Sequence, residues 1–280
     1  MDTFDDVAII LQGYSVDSDQ MEKLVRYYKN IGFDNIVVSS YKSCLNKYVK
    51  ENTVFLENDA TELGKVDSST TGNDFSEHRG IEGQKFIVRS DEVIPNIPGS
   101  NTNYHILTTK RGVNLAKKMY PQCDYYLKLR ADQVLLDLHK FIPKWKKQIE
   151  KPPGADVRAF KKKLVSLGWG KCKGKTPRRI AWYIADYWTF GFREDIINYY
   201  NIPYNTNKKI ISGERYISYK YISSRIKNKR GFDHIMSRYQ ISDPSFDKIR
   251  KANWIFDFSI RNFSYKWDCF VNDTTACKLQ

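Results

Sequence analysis

Hydrophobic positions along the chain change period several times, and each change marks an element. Val7 to Leu11 is a continuous apolar run ended by Gln12-Gly13, the pattern of a strand buried on both faces. From Gln20 to Ile31 the spacing becomes helical, with Met21, Leu24, Val25, Tyr28 and Ile31 on one face. Asp17-Ser18-Asp19 can cap that helix, and Gly32 stops it. Asn35 to Ser39, Lys85 to Ser90 and Tyr125 to Leu129 read as three further strands. A short helix is predicted over Thr108 to Met119, with Gly112 and Ala116 one turn apart.

The later part of the chain is more aromatic. Ile180 to Phe192 is strand-like with Asp186 inside it, and Ile196 to Tyr200 continues as a helix or turn. Glu214 to Ile226 sets Tyr and Ile at helical spacing, and Asn253 to Phe270 reads as strands packed on the core. Glu57 to Gly83 is a long polar excursion, a candidate lid that holds Asp67, Asp74, Glu77 and His78. There is no internal repeat and no Pro/Gly/Ser linker between balanced halves, so one domain over 1–280 is expected. Strands alternating with helices imply right-handed crossovers and a mainly parallel sheet flanked by helices, an α/β fold. Such sheets bind ligands outside the carboxyl ends of their strands. Here those ends carry Gln12-Gly13-Tyr14, Ser39-Ser40-Tyr41, Ser90-Asp91 and Arg130-Ala131-Asp132.

Composition narrows the picture. With 280 residues and 41% hydrophobic content the chain can bury a sizeable core. No run of about 18 apolar residues exists to span a membrane. The start, Met1 to Asp6, is acidic where a signal peptide is basic. Five scattered cysteines without C-x-x-C spacing speak against a zinc site or a disulfide framework. A soluble cytoplasmic protein is the expectation. Charge is uneven: Lys144 to Arg179 holds thirteen Lys/Arg against Glu150 and Asp156, a local net of +11 out of +14. That segment would attract a nucleic acid, an anionic membrane surface or a phosphorylated ligand. A solvated basic loop is the plainer alternative. Lys161 to Lys163 and Gly168 to Lys175 read as loop, because glycine recurs without an apolar period.

The order of motifs carries a resemblance. Ile10-Leu11-Gln12-Gly13, Val38-Ser39-Ser40 and Ser90-Asp91-Glu92 with Pro98-Gly99 come first. Asn101-Thr102-Asn103, His105, Thr108-Thr109, Gly112 and Ala116 follow, then Leu127-Lys128-Leu129-Arg130-Ala131-Asp132. Asp186 to Gly191 and Gly213-Glu214-Arg215-Tyr216 complete the set. Over residues 7 to 220 the chain resembles WavE-type lipopolysaccharide glycosyltransferases, within the broad GT-A class. Its tyrosine- and lysine-rich composition also resembles that of glycosyltransferases from large DNA viruses such as chloroviruses. The resemblance implies a GT-A-like fold, with a nucleotide-binding part over about 1–135 and an aromatic acceptor-binding part over about 136–280.

The resemblance also implies roles. GT-A enzymes use Asp-x-Asp to hold Mn²⁺ or Mg²⁺ against the diphosphate. Arg130 replaces the first acid here, so Asp132 either binds the metal alone with water and phosphate oxygens, or binds ribose while Arg130 takes the phosphate. An Arg130–Asp132 ion pair capping the strand end is the bland alternative. Arg111-Gly112, read as a helix start, resembles an Arg-Asn-x-Gly segment whose arginine reaches the nucleotide. Asn103 joins the donor site on the same grounds, while His105 reads as a packed or capping histidine. Tyr14 and Tyr41 stand where a uracil ring would stack, Gln12 and Ser39 could hydrogen-bond the base edge, and Gly13 and Ser40 join the donor site. An inverting transferase needs one base for the acceptor hydroxyl. Glu214 after Gly213 is the first candidate, Asp186 the second and Asp74 the third. Glu214 could instead cap its helix, and Asp186 could pair with Arg178 or Arg179.

The expected function is transfer of a hexosyl or pentosyl unit from a UDP-sugar to a glycan hydroxyl, with inversion. Trp182, Tyr183, Tyr187 and Trp188 would form the acceptor wall. The basic segment would gate the diphosphate or meet an anionic acceptor or membrane surface. Two other readings stay open: a nucleic-acid-binding protein using the +11 segment, and a nucleotide-sugar-binding protein that has lost catalysis.

Overall fold

The computed structural model describes residues 3–13, 18–41, 54–58, 102–150, 158–167, 171–173, 176–178, 184–185, 187–206, 213–225, 244–257, 259 and 264–266. In chain order the elements are β1 (Val7–Gln12), α1 (Ser18–Asn30), β2 (Ile36–Tyr41), β3 (Val54–Asn58), α2 (Thr102–Met119), β4 (Tyr125–Arg130) and β5 (Gln133–Leu135). Then come α3 (Leu138–Ile149), β6 (Leu164–Ser166), β7 (Lys171–Lys173), β8 (Thr176–Arg178), β9 (Trp188–Phe192) and α4 (Arg193–Tyr200). The last are α5 (Gly213–Arg225), α6 (Pro244–Asn253), β10 (Trp254–Phe256) and β11 (Ser264–Lys266).

Seven strands form one sheet in the order β10-β6-β9-β4-β1-β2-β3. β1 pairs in parallel with β2 and β4, β2 with β3, and β6 with β10. β9 runs antiparallel to both β4 and β6, so it alone is reversed within this sheet. β5 with β11 and β7 with β8 form two small antiparallel pairs. The expected α/β class, a mainly parallel sheet flanked by helices, is what the chain adopts.

Alternation along the strands builds two cores, one on each face of the sheet. Val7, Ile9 and Leu11 join Leu127, Leu129, Trp145 and Trp188 on the face covered by α1 and α3. Ala8 and Ile10 join Val113, Tyr126, Tyr199 and Tyr221 on the face covered by α2, α4 and α5. Every residue of β1 is buried, which explains its unbroken apolar run. α2 packs tightly because Gly112 faces the sheet. A Cβ there would stand 2.8 Å from both Ile10 Cγ2 and Ser39 Cβ.

Several expectations need correction. α2 starts at Thr102, six residues before the predicted start, because polar Thr102 and Asn103 are buried rather than looped out. Arg111 is therefore mid-helix. β3 escaped the sequence reading, which placed the polar excursion from Glu57 onward across its end. The basic segment contains a hairpin, β7–β8, where loop was expected. Glycine recurrence hid strands too short for an apolar period. The strand at Lys85 to Ser90, and the Ile180 to Tyr183 part of the aromatic strand, lie outside the described residues. No described helix is long and apolar enough to cross a membrane.

Candidate functional site

Pairing register brings three strand ends level. Gln12 lies opposite Ser39 on β2 and opposite Arg130 on β4. These three form a row across the carboxyl edge of the parallel strands, about 10 Å wide at the usual strand spacing. Main-chain bonds continue past the ends: Gly13 N–H donates to Ser39 O at 3.0 Å, and Ala131 N–H donates to Gln12 O at 2.9 Å. Gly13 has φ of 95°, a conformation suited to glycine, and no described residue lies within 4 Å of where its Cβ would be.

Beneath this row is a buried polar layer centred on Thr108 of α2. Its hydroxyl donates to Gln12 Oε1 at 2.8 Å, and its carbonyl accepts from Ser39 Oγ at 2.7 Å. His105 Nδ1 lies 3.4 Å from Gln12 Nε2. Ser40 Oγ donates to Gly13 O at 2.7 Å. Asn103 is locked to the loop after α4: its Nδ2 donates to Asn205 O at 2.9 Å, and its Oδ1 accepts from Asn205 N–H at 2.7 Å. Gln12, Ser39, Ser40 and Asn103 are all buried. Their side chains hold the strand ends and the start of α2 together, whereas the sequence reading had placed all four in the donor site, with Gln12 and Ser39 on the base edge.

α2 runs against the strands. Thr108 meets the carboxyl ends, while Tyr120 Oη donates to Ile36 O at the start of β2. Thr102 therefore projects beyond the strand ends, and a Cβ on Gly213 would stand 3.6 Å from its Cα. The starts of α2 and α5 thus meet at the same edge as the row, and Glu214, half-buried in the first turn of α5, comes with them. Arg111 is half-buried one residue before the close contact of Gly112 with the sheet.

The charges at the end of β4 are paired. Arg130 Nε donates to Asp132 Oδ1 at 2.9 Å, and Nη2 donates to Oδ2 at 2.6 Å. This two-pronged pair has side-chain exposures of 34% and 36%. The guanidinium also lies over the Tyr187 ring, 5.2 Å from its centroid. At the far end of the edge, Asp257 follows β10 and is buried. Lys144 Nζ at 2.7 Å, Trp145 Nε1 at 2.9 Å and Ser259 N–H at 3.1 Å all donate to it. Burial alone would raise the Asp257 carboxyl, but the hydrogen bonds from Lys144, Ser259 and Trp145 outweigh it and hold the group below the usual range.

Lys128 was missed by the sequence reading. It is fully buried in the middle of β4, with its ammonium 5.8 Å from the Tyr200 ring centroid. The signal was available: in Tyr126-x-Lys128-x-Arg130 the two cations share the parity of a core tyrosine, although the run reads as apolar when scanned whole.

The aromatic wall also changes. Trp188 is fully buried and stacked on Trp145 with centroids 4.8 Å apart, so it belongs to the core and lines no acceptor groove. Tyr187 is half-buried against Arg130. Trp182, Tyr183, Asp186, Asp74 and Tyr14, and the side chain of Tyr41, lie outside the described residues. Cys123 is a buried free thiol that burial pushes up to about 12, which makes it unreactive near neutral pH.

No known family model and no curated protein matches the chain. Among solved structures it is similar to the crystal structure of a glycosyltransferase involved in the glycosylation of the major capsid of PBCV-1. The TM-score is 0.37 and the identity 10%, covering 87% of this chain and 97% of that one.

Proposed function

We propose that the chain is a glycosyltransferase that moves a sugar from a nucleoside diphosphate donor, UDP-linked, to a glycan hydroxyl with inversion. The observation that carries this reading is the convergence at one sheet edge. The positive-φ Gly13, the Arg130–Asp132 pair, about one third exposed, and the first turn of α5 with Glu214 all stand at the carboxyl ends of parallel strands. Ligands of open α/β sheets bind at that edge.

The chemistry assigned to these groups balances in one displacement. The acceptor oxygen attacks the anomeric carbon and forms the new C–O bond, while the bond from that carbon to the phosphate oxygen breaks. The electron pair leaves with the nucleoside diphosphate, which gains one negative charge. The acceptor proton passes to a carboxylate, for which Glu214 is the candidate; Asp186 and Asp74 are the alternatives. Tyr14 and Tyr41 follow β1 and end β2, where a uracil ring would stack. Arg111 is held in reserve as a second donor contact on the flank of α2.

A thermal-shift panel of nucleotide sugars tests the reading. One UDP-sugar should raise Tm and be slowly hydrolysed to UDP, while unrelated nucleotides leave Tm unchanged. Steep, salt-dependent binding of single-stranded DNA with no response to any nucleotide sugar would favour a nucleic-acid-binding protein instead.

A further inference from the structure

A GT-A-like site implies Mn²⁺ or Mg²⁺ at Asp132, and the described residues around Asp132 do not fit one. Such hard cations require several oxygen ligands around one point. Asp132 offers one carboxylate, and Arg130 engages both of its oxygens, at 2.9 and 2.6 Å. A dication on that carboxylate would stand against a permanent positive charge. Among the described residues no group of three or more His, Cys, Asp or Glu could hold a metal ion.

We infer that Arg130 itself supplies the positive charge for the leaving diphosphate, and that Asp132 is a positioning residue that presents it. The inference rests on the transferase reading and deepens it: the donor class is a nucleoside diphosphate sugar bound without a divalent ion. Three features argue for it. A guanidinium stays charged at any working pH and matches phosphate oxygens with a two-pronged fork. The Asp132 pair fixes the plane of the guanidinium, while the Tyr187 ring supports one face. The pair is also about one third exposed, and exposed ion pairs are weak. A diphosphate can therefore displace one oxygen of Asp132 from the guanidinium while the other keeps it oriented toward the ligand. When the C–O bond breaks and the diphosphate gains a negative charge, that charge forms beside Arg130, where a fixed cation stabilises the transition state more than the bound donor.

The test is calorimetric titration of the full chain with UDP and with uridine, in EDTA and then in Mn²⁺. The wild-type Kd for UDP should agree within about threefold between the two conditions. Arg130→Met should weaken UDP by roughly 10- to 100-fold and leave uridine unchanged, since uridine carries no phosphate. Arg130→Lys should recover part of the loss, which a folding defect would not allow. Arg130→Asp rebuilds a pair of carboxylates at 130 and 132. It should lose UDP binding in EDTA and regain it in Mn²⁺. Wild-type binding that disappears in EDTA and returns with Mn²⁺ overturns the inference while leaving the transferase reading intact. Wild-type protein that binds neither UDP nor any UDP-sugar in either condition overturns both.

Discussion

Both edges of the sheet carry ion pairs set against aromatic rings, yet they are built differently. At the amino edge, Lys146 pairs with Asp6, Lys162 with Glu150 and Lys161 with Glu194. The Lys146 ammonium lies 5.1 Å from the Tyr125 ring centroid, and that of Lys162 lies 4.7 Å from Phe192. At the carboxyl edge a planar guanidinium grips Asp132 over Tyr187. The amino-edge charges are flexible ammonium groups spread over the mouths of the helices. The carboxyl-edge pair stands beside a buried hydrogen-bonded layer and the positive-φ Gly13. Charge on an aromatic ring is common to both edges, so it does not distinguish the proposed site; the bidentate pair at the strand ends does.

Four experiments press on this contrast. The largest effect should come from Glu214→Gln, which keeps size and hydrogen bonding but cannot take a proton near neutral pH. It should lower kcat by roughly 10²- to 10⁴-fold with donor affinity nearly unchanged. Near-normal transfer by that variant, with Asp186→Asn or Asp74→Asn inactive yet still binding donor, would move the base elsewhere.

Asp257 should matter for stability and leave UDP binding alone. Asp257→Ala leaves the buried Trp145 N–H without its acceptor while the half-exposed Lys144 ammonium turns to water, and chemical denaturation should show a loss of about 1–3 kcal/mol. Its lowered carboxyl also sets a pH dependence. The stabilisation is present above the ordinary aspartate value and is lost as pH falls through the lowered native one. Asp195 opposes it: burial raises this carboxyl despite the N–H groups of Lys161 and Lys162 donating to it, so its cost appears as pH rises past the ordinary value. Asp257→Asn should flatten the acid limb of the stability curve. An unchanged limb would assign acid unfolding to other groups.

The smallest effect belongs to the amino edge. Hydrogen bonding from Lys161 holds the Glu194 carboxyl below its usual range, but the pair is half-exposed. Glu194→Gln should cost under about 1 kcal/mol, diminish further in salt and leave UDP binding unaltered. A loss of nucleotide binding in this variant would break the contrast between the edges.

The same contrast shows what was legible in the sequence. β1 and β2 were clear because strands buried on both faces give largely apolar runs, and β4 because apolar residues flank its single buried lysine; their polar ends followed directly. The level of those ends was not legible, because register is set by pairing between distant segments. Gln12, Ser39 and Asn103 looked like ligand contacts because polar residues at strand ends and helix starts usually face solvent. Here α2 begins early, so that it contains Asn103 and covers Gln12 and Ser39; Thr108 bonds to Gln12 and Ser39, and Asn205 to Asn103. Arg130 and Asp132 were found by residue type, and the ion pair between them was one of the arrangements that the spacing allowed. Trp188 was assigned to an acceptor surface on composition alone. Its stack on Trp145 depends on α3 crossing β9, which no local pattern reveals.

The most direct measurement of the central claim is a crystal structure of the chain with UDP. Density for the diphosphate beside Arg130, with the nucleoside running past Gly13 toward the end of β2, is the expected result. Density at the amino edge, among Lys146, Lys161 and Lys162, would contradict the account, since it would mean that charge rather than strand-end geometry selects the ligand.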